Sequence, residues 1–242
     1  NSISFFSTQS RYTFNEIRKK NPNAKMIWQI FLFGNKEWIL NEIKRAENYG
    51  SEAIALCLDA PIRSHRFKDR ESRYDARKYG KMRRLSQNPS YALRYDWSII
   101  KWIKSKTKKP IILKGIINLH DAIKAKKYNI NVLWISNHGG RMFNSGISSG
   151  EALKNIRSKI GKKIIIIVDG GVTKGTDVIK YLCLGANFVG IGKPAIYGLA
   201  IDGHKGVKQI FDILTSELKT ASLNGGFKNL KDFTLKRISL KK

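Results

Sequence analysis

The sequence is poor in cysteine and in acidic residues. Its 242 residues include two cysteines, Cys57 and Cys183, and 18 aspartates and glutamates against 46 lysines and arginines. Both cysteines lie in apolar runs, and their spacing fits neither a metal site nor a disulfide framework. We interpret them as buried thiols, which is typical of proteins in reducing compartments.

Long apolar runs are absent as well. No stretch reaches the length of a membrane-spanning helix, and we expect no signal peptide ahead of the first predicted strand. We therefore expect a cytoplasmic protein, with a peripheral position at a membrane surface as the alternative. The sequence also lacks a strand–GxGxxG–helix unit with a downstream acidic residue, which argues against a nicotinamide or FAD domain of the dinucleotide-binding type.

The shortage of acidic residues leaves a formal net charge of +28. Such a charge is compatible with a polyanion partner. However, lysine and arginine are spread along the whole chain, with one dense tract at residues 63–84, and lysine, asparagine and isoleucine are all abundant. We interpret the charge as solvated background and expect no nucleic-acid partner.

Apolar runs of strand length alternate with amphipathic helical periods. The runs cover residues 3–6, 26–33, 53–58, 111–113, 132–135, 164–168 and 188–191. Continuous apolar strands separated by helices predict a parallel sheet covered by helices. A TIM (β/α)8 barrel needs eight strands and the sequence shows seven. We predict an α/β barrel of this type that lacks its first strand, with strands two to eight and a C-terminal helix in one domain over residues 1–242.

Helix boundaries follow from local signals. Ser148 and Glu151 have the spacing of a capping box, so a helix should begin there. Asp177 is expected to open a later helix that Gly185 closes, and Gly50 is expected to end an earlier one.

Three predicted strands end in residues suited to chemistry. His138, two glycines and Arg141 follow one strand, and they offer a proton acceptor and an anion clamp; a surface turn that contains a histidine is the alternative. The loops at residues 169–172 and 190–194 are rich in glycine, which lets the backbone N–H groups approach a phosphate. Ordinary glycine turns are the alternative, but in this barrel the loops after the last two strands form the usual phosphate site.

Seven segments, in this order, resemble the FMN-dependent α-hydroxy acid oxidase and dehydrogenase family, which includes glycolate oxidase, lactate oxidase, mandelate dehydrogenase and the flavin domain of flavocytochrome b2. They are residues 28–31, 57–61, 66–69, 113–116, 136–141, 169–172 and 192–194. The likeness runs from Ser2 to about Gly225. The family's N-terminal substrate-lid segment and first barrel strand have no counterpart here.

The resemblance implies four roles in catalysis and substrate binding. His138 would remove a proton from the substrate, and Asp59 would orient that histidine and stabilise its imidazolium. Arg141 and Arg66 would grip the substrate carboxylate. The alternatives are a strand-end carboxylate that caps a turn for Asp59, and a solvated charge in a basic loop for Arg66.

The resemblance also implies FMN as cofactor and assigns its contacts. Lys114 would lie beside the N1–C2 carbonyl edge of the flavin, where a cation stabilises the negative charge of the reduced ring. The other flavin contacts would come from Ser7, Gln29, Cys57 and Ser136. The ribityl chain and phosphate would be held by Asp169, Gly170, Gly171, Val172, Thr173, Gly192 and Lys193.

Four positions depart from the family's usual residues. Phe31 replaces a tyrosine, which removes a hydroxyl expected to contact the substrate. Cys57 replaces a threonine and weakens one flavin hydrogen bond. Thr173 and Lys193 replace arginines, and lysine keeps the charge but loses the planar fork.

These implications define the expected function. We predict FMN-dependent oxidation of a small L-2-hydroxy acid to the 2-oxo acid by a homo-oligomer, with oxygen, a quinone or a cytochrome as the electron acceptor. One alternative is an inactive relic of the barrel that binds anions without turnover. Another is an FMN barrel enzyme of the isopentenyl diphosphate isomerase type.

Overall fold

Strands and helices alternate along the chain, as the apolar periodicity predicts. The computed structural model describes residues 2–62, 71–73, 94–143 and 146–239. The strands are β1 Ser4–Ser7, β2 Met26–Phe31, β3 Ile54–Cys57, β4 Ile111–Lys114, β5 Val132–Ile135, β6 Ile165–Val168 and β7 Phe188–Val189. The α-helices are α1 Phe14–Lys20, α2 Lys36–Asn48, α3 Ser98–Lys104, α4 Leu119–Lys127, α5 Ser149–Ile160, α6 Gly175–Cys183 and α7 Lys193–Asn224.

All seven predicted strands are present, and their order in the sheet follows the chain. Strands β1 to β4 pair in parallel, and in their register Phe31 lies opposite Cys57 and Cys57 lies opposite Lys114. Strands β6 and β7 are parallel too, with Val168 opposite Val189. Because parallel strands point the same way, the residues at their carboxyl ends gather along one edge of the sheet within each unit.

Two compact units divide the chain. The first comprises Asn1–Gly115, Ala125–Val132 and Arg141–Asn144, and the second comprises Ile116–Lys124, Leu133–Gly140 and Ser145–Lys242. Within the part of the chain that the structure describes, no helix combines the length and apolar character that crossing a membrane requires.

The first unit is organised around strands that are buried along their whole length. Every residue of β2, β3 and β4 is buried. The Trp28 ring packs 5.1 Å from that of Phe14, and its Nε1 donates to buried Glu42 at 2.9 Å. Arg45 pairs with the same carboxylate at 3.0 Å, so the buried charge of Glu42 is compensated.

One arginine ties the amino ends of β2 and β3 together. Arg18 of α1 donates to the carbonyls of Pro22 and Ala24, which precede β2, and to those of Tyr49 and Gly50, which precede β3. These carbonyls lie where helices end and backbone acceptors have no helical partner. The guanidinium therefore satisfies acceptors from two connections at once.

An arginine of the second unit repeats this arrangement. Arg157 of α5 donates to the carbonyls of Gly161 and Ile164, ahead of β6, and to the Gly185 carbonyl and the Asn187 side chain, ahead of β7. Burial lowers the pKa of its guanidinium. Each unit thus carries one arginine that spans the amino ends of two neighbouring strands.

Glycines let the last two helices of the second unit pack closely. A Cβ at Gly175 would overlap the backbone of α7 at Leu218, and the Gly175 N–H donates to Glu217 at 2.7 Å. Helix α7 itself breaks at residues 202–203, and Gly198 and Gly206 on either side of the break touch through their backbones. Any larger residue at these glycines would force the helices apart.

The predicted helix boundaries hold with one shift. The Ser148 side chain accepts from the Glu151 N–H at 3.2 Å, and Gly50 and Gly185 adopt the left-handed conformation just past their helices. Helix α6 begins at Gly175, two residues before the expected Asp177. The Asp177 carboxylate still accepts the Lys174 N–H at 3.1 Å, so it caps the helix from inside the first turn.

The second unit exposes several apolar side chains in β7 and the first half of α7, which we call the apolar stripe. It consists of Phe188, Ile196, Tyr197, Leu199 and Ile201, which are between 52% and 84% exposed. Only three residues of α7 are buried, and two of them are glycines. Most of the buried apolar residues of this unit lie in β5, β6 and α5.

Candidate active site

The strand registers of the first unit align five predicted site residues. Ser7 lies opposite Gln29 in the β1–β2 pair, and Phe31, Cys57 and Lys114 lie opposite one another in β2, β3 and β4. Side chains two residues apart on a strand share a face, as do paired residues of neighbouring parallel strands. All five therefore lie on one face at the carboxyl edge of the sheet, where a planar ligand can be contacted from several strands.

A buried ion pair forms at this edge. The Lys114 Nζ lies 3.6 Å from Oδ2 of Asp59, which follows β3, and Lys114 is only 6% exposed. A buried ammonium group is costly unless a partner compensates its charge, and Asp59 supplies that partner. Gly115 makes the approach possible, because a Cβ there would overlap the Asp59 side chain and the backbone adopts φ +96°. From the sequence, Gly115 was noted only as a member of the segment 113–116, and its contact with Asp59 was not predicted.

Cys57 contacts the same carboxylate. Its thiol donates to Oδ1 of Asp59 at 3.1 Å. Burial raises the pKa of the Cys57 thiol well above its usual value, and the Asp59 charge raises it further, with a smaller opposing effect from Lys114. Cys57 is therefore a neutral donor at physiological pH. The flavin contact that the resemblance implies for Cys57 stays a prediction.

Phe31 lies in an apolar group at the same edge. Its ring is 5.3 Å from that of Phe33, and it clusters with Cys57, Ala60 and Met142. At the position where the resemblance to the family predicts a tyrosine hydroxyl, this chain has the ring of Phe31 among apolar neighbours. Arg141, one residue before Met142, is exposed. Arg66, the second predicted carboxylate ligand, lies outside the described residues.

Thr8 is a buried residue that the sequence analysis missed. It is 4% exposed, its N–H donates to the Gln29 carbonyl at 2.9 Å, and its Oγ1 accepts from the Phe31 N–H at 3.2 Å. Thr8 therefore fixes the end of β2 that carries Gln29 and Phe31. The position of a threonine directly after a predicted strand could have marked Thr8. The sequence does not show that its hydroxyl bonds to the backbone of β2.

In the second unit, Ser136 and Asn137 shape the loop that carries His138. Ser136 is fully buried and its Oγ accepts from the His138 N–H at 3.1 Å. Asn137 accepts from the Gly139 N–H at 3.1 Å and donates to Ile147 at 3.3 Å. His138 itself has φ +55°, a conformation that non-glycine residues seldom adopt and that surrounding bonds must hold. The half-buried imidazole is thus presented by a specified turn.

The glycine loop after β6 is equally fixed. The Asp169 N–H donates to the Ile135 carbonyl at 3.2 Å, and the Tyr181 hydroxyl donates to the Gly170 carbonyl at 2.7 Å. Gly170 and Gly171 have φ +101° and +70°. Burial raises the pKa of Tyr181 to about 12, helped by the charges of Asp169 and Asp177. Tyr181 therefore stays protonated and keeps donating to the loop.

Other predicted residues of this loop have partners of their own. Val172 is 4% exposed and packs in the core. The Thr173 hydroxyl and N–H both donate to Asp177, at 3.2 and 3.1 Å. Thr173 thus supports the start of α6, and its contact with a cofactor stays a prediction.

Two features of the second unit fit a cofactor that carries hydroxyl groups and a phosphate. Oδ1 of Asp169 is buried without a hydrogen-bond partner among the residues that the structure describes, and such a carboxylate oxygen needs a donor such as a hydroxyl. A Cβ at Gly171 or Gly192 would meet no described atom within 4 Å, so both backbones face open space. Gly192 caps α7, and Lys193 starts it, so the helix N-terminus adds a positive potential for an anion.

The site residues thus fall into two sets. Ser7, Gln29, Phe31, Cys57, Asp59 and Lys114 come together in the first unit, and Ser136, His138, Asp169, Gly170 and Gly171 lie at the ends of β5 and β6 in the second, with Gly192 and Lys193 after β7. The pairing of Asp59 with His138 joins the two sets and stays a prediction.

Comparison with known proteins identifies the family. The FMN-dependent dehydrogenase family matches residues 1–240. The peroxisomal (S)-2-hydroxyacid oxidase GLO3 of Arabidopsis thaliana is 33% identical over 97% of this chain and 68% of its own length. Human 2-hydroxyacid oxidase 1 is 32% identical over 92% of this chain and 66% of its own length. The chain therefore spans about two thirds of the length of these relatives.

Solved structures agree with this assignment. Mandelate oxidase with benzoyl-formic acid superposes with a TM-score of 0.88 at 26% identity, over 99% of this chain and 69% of that one. The flavin-binding domain of baker's yeast flavocytochrome b2 gives a TM-score of 0.86 at 27% identity, over 99% and 64%. The predicted fold class, a TIM barrel that lacks a part, is confirmed. The chain belongs to the family of FMN-dependent dehydrogenases, flavoprotein oxidoreductases of the TIM-barrel fold.

Proposed function

We propose that this chain oxidises a small L-2-hydroxy acid to the corresponding 2-oxo acid, with FMN as the first electron acceptor. The relatives named above act on 2-hydroxy acids, as their names state. The observation that carries the proposal is the buried Lys114 beside Asp59 at the carboxyl ends of β3 and β4. A cation held there suits a ring that becomes negatively charged on reduction.

FMN, when bound, supplies a two-electron acceptor, and the chain supplies the groups that handle the proton. His138 removes a proton from the substrate, a task for which imidazole is suited near neutral pH. Asp59 orients this imidazole and stabilises the imidazolium that forms. Ser136 and Asn137 hold the turn, so the base need not be ordered by the substrate.

Substrate binding divides between charge and apolar contact. Arg141 and Arg66 grip the carboxylate, since a guanidinium offers two parallel donors. Phe31 lines the substrate side with an aromatic ring rather than a hydroxyl. This favours apolar substituents on the 2-hydroxy acid, and we rank L-lactate and L-mandelate above glycolate.

The cofactor contacts follow from the two sets of residues. Gln29, Ser7 and Lys114 contact the flavin ring or its side chain. Asp169 accepts from a ribityl hydroxyl, which gives its buried oxygen a partner. The backbones of residues 170–172, together with Thr173, Gly192 and Lys193, surround the phosphate.

Three properties of the whole protein remain predictions. The electron acceptor is oxygen, a quinone or a cytochrome. The protein is a homo-oligomer with no nucleic-acid partner. Its location is cytoplasmic, with a peripheral membrane position as the alternative.

The decisive test is anaerobic stopped-flow reduction of the flavin in the full-length protein by glycolate, L-lactate and L-mandelate. His138→Gln should keep FMN yet reduce it about 10²- to 10⁴-fold more slowly, the usual contribution of a positioned base. His120→Gln is the matched control, because its side chain is 85% exposed. Reduction of the His138→Gln protein at the wild-type rate would refute the base assignment. A wild-type flavin that stays oxidised with all three acids would favour the anion-binding relic.

Substrate binding has its own test. Arg141→Lys should raise KM more than it lowers kcat, because an ammonium cannot reproduce the two parallel hydrogen bonds of a guanidinium. Asp59→Asn should slow flavin reduction and leave FMN in place. An unchanged KM in Arg141→Lys would remove Arg141 from the carboxylate site.

A further inference from the structure

Two side chains of the first unit hold the Asp59 carboxylate, one at each oxygen. The Cys57 thiol donates to Oδ1 at 3.1 Å, and the Lys114 ammonium lies 3.6 Å from Oδ2. Cys57 and Lys114 are opposite each other in the β3–β4 register. The carboxylate therefore sits across two neighbouring strands, and its rotation about the Cβ–Cγ bond would disrupt both contacts.

The apolar surroundings of Cys57 strengthen the hydrogen bond from its thiol to Asp59. Cys57 is 3% exposed and packs with Phe31, Phe33, Ala60 and Met142, none of which has a side-chain hydrogen-bond donor. A thiol is a weak donor in water, but apolar surroundings strengthen a hydrogen bond to a charged acceptor and keep competing water away. The raised pKa of Cys57 keeps its proton in place for this contact.

We propose that Cys57 is a positioning residue of the reaction, whose S–H group fixes the rotamer of Asp59 and through it the alignment of His138. This rests on the proposed function, in which Asp59 orients the base. It assigns to Cys57 a role other than the flavin contact that the resemblance to the family implies for this position. The chain thus supports its base with a thiol donor.

The test compares three replacements of Cys57 in the FMN-loaded full-length protein. Cys57→Val keeps a buried, branched apolar side chain but removes the donor, while Cys57→Thr and Cys57→Ser restore one. We expect Cys57→Val to lower the limiting rate of flavin reduction about three- to tenfold, as the loss of one hydrogen bond of ordinary strength from a weak donor implies. Its KM and its FMN dissociation constant should match the wild type. Cys57→Thr and Cys57→Ser should recover most of the lost rate.

Cys183→Val is the matched control, because Cys183 is the other buried free thiol and lies on α6. It should leave the reduction rate unchanged. A Cys57→Val protein that reduces flavin at the wild-type rate overturns the proposal. A Cys57→Val protein that loses FMN affinity, with recovery in Cys57→Thr, also overturns it and shows a direct flavin contact instead.

An infrared measurement decides the contact without any turnover. The S–H stretching band that disappears in Cys57→Val belongs to Cys57, and replacing Asp59 by Asn should shift this band to higher frequency, because a neutral acceptor forms a weaker hydrogen bond. An unshifted band overturns the proposal. If the wild type reduces no 2-hydroxy acid, the proposed function fails, while this band still shows whether Cys57 holds Asp59.

Discussion

The two units offer a ligand different kinds of groups. At the carboxyl ends of its strands, the first unit presents buried side chains: an ammonium, a carboxylate, a thiol and an amide. Apart from His138 and Asp169, the second presents mostly backbone, in glycine turns with positive φ and at the N-terminus of α7. Proton transfer and the stabilisation of charge on a cofactor ring need side chains at defined distances. An anion such as phosphate can be bound by backbone N–H groups.

The units also differ in how they bury apolar surface. Strands β2 to β4 are buried throughout, while β7 has two residues, one of them an exposed phenylalanine. Stability should therefore depend more on the first unit than on the apolar stripe of the second. Four predictions test or refine this comparison.

The largest effect should come from the buried strands. Leu56 in β3 is fully buried, so Leu56→Ala should lower the free energy of unfolding by about 2–5 kcal/mol through lost burial and a residual cavity. Leu199→Ala on the half-exposed stripe should change it by less than about 0.5 kcal/mol. Urea unfolding of the two variants measures both. Equal costs would show that the stripe is packed against another surface in solution.

The arginines that span the amino ends of strands should matter equally in both units. Arg18→Lys and Arg157→Lys each exchange four directional hydrogen bonds for one ammonium, and each should cost about 1–3 kcal/mol. Arg237→Lys, which loses two bonds near the C-terminus, serves as the control and should cost less. A large cost for one arginine alone would show that the two arrangements are not equivalent.

The backbone cradle of the second unit should depend on charge near its helix N-terminus. Lys193→Glu places a negative charge beside the proposed phosphate position and should weaken FMN binding about tenfold, roughly 1.4 kcal/mol. Lys219→Glu makes the same charge change toward the other end of α7, at a site that is exposed as well. Fluorescence titration of both apoproteins with FMN gives the ratio. Matching affinities would take Lys193 out of the site.

The smallest effect should appear at the glycine loop. Tyr181→Phe removes the bond to the Gly170 carbonyl and should cost about 0.5–1.5 kcal/mol at neutral pH. Because the folded pKa of about 12 exceeds the ordinary value of 10.0, the folded state holds this proton more tightly. Its contribution is complete below pH 10 and is lost as the pH rises toward 12. The stability of Tyr181→Phe should therefore decline less than that of the wild type over this interval.

The fold followed from the sequence because its signals are local. Seven apolar runs predicted seven strands, and Ser148 and Gly185 marked helix ends correctly. The last strand was predicted too long, to residue 191, because Gly190 and Gly192 lead the chain out of the ladder into α7. Periodicity locates an apolar run but does not show where its pairing stops.

The site was predictable as residues but not as contacts. Asp59 was assigned to orient His138 and Lys114 to contact the flavin, and nothing in the sequence joined the two residues. Their ion pair depends on the register of β3 against β4, which packing between distant segments sets. The thiol contact of Cys57 and the support from Thr8 escaped prediction for the same reason.

Arg18 and Arg157 secure the connections that lead into strands, while the described site residues lie near the carboxyl ends of strands or in the connections that follow them. The registers of β2, β3, β6 and β7 are thereby anchored at ends remote from the ligand. Loop sequences at the carboxyl ends can then diverge without shifting those registers. For protein engineers this separation is useful: substrate loops from relatives can be grafted between anchored strands, and evolution has had the same freedom to change specificity.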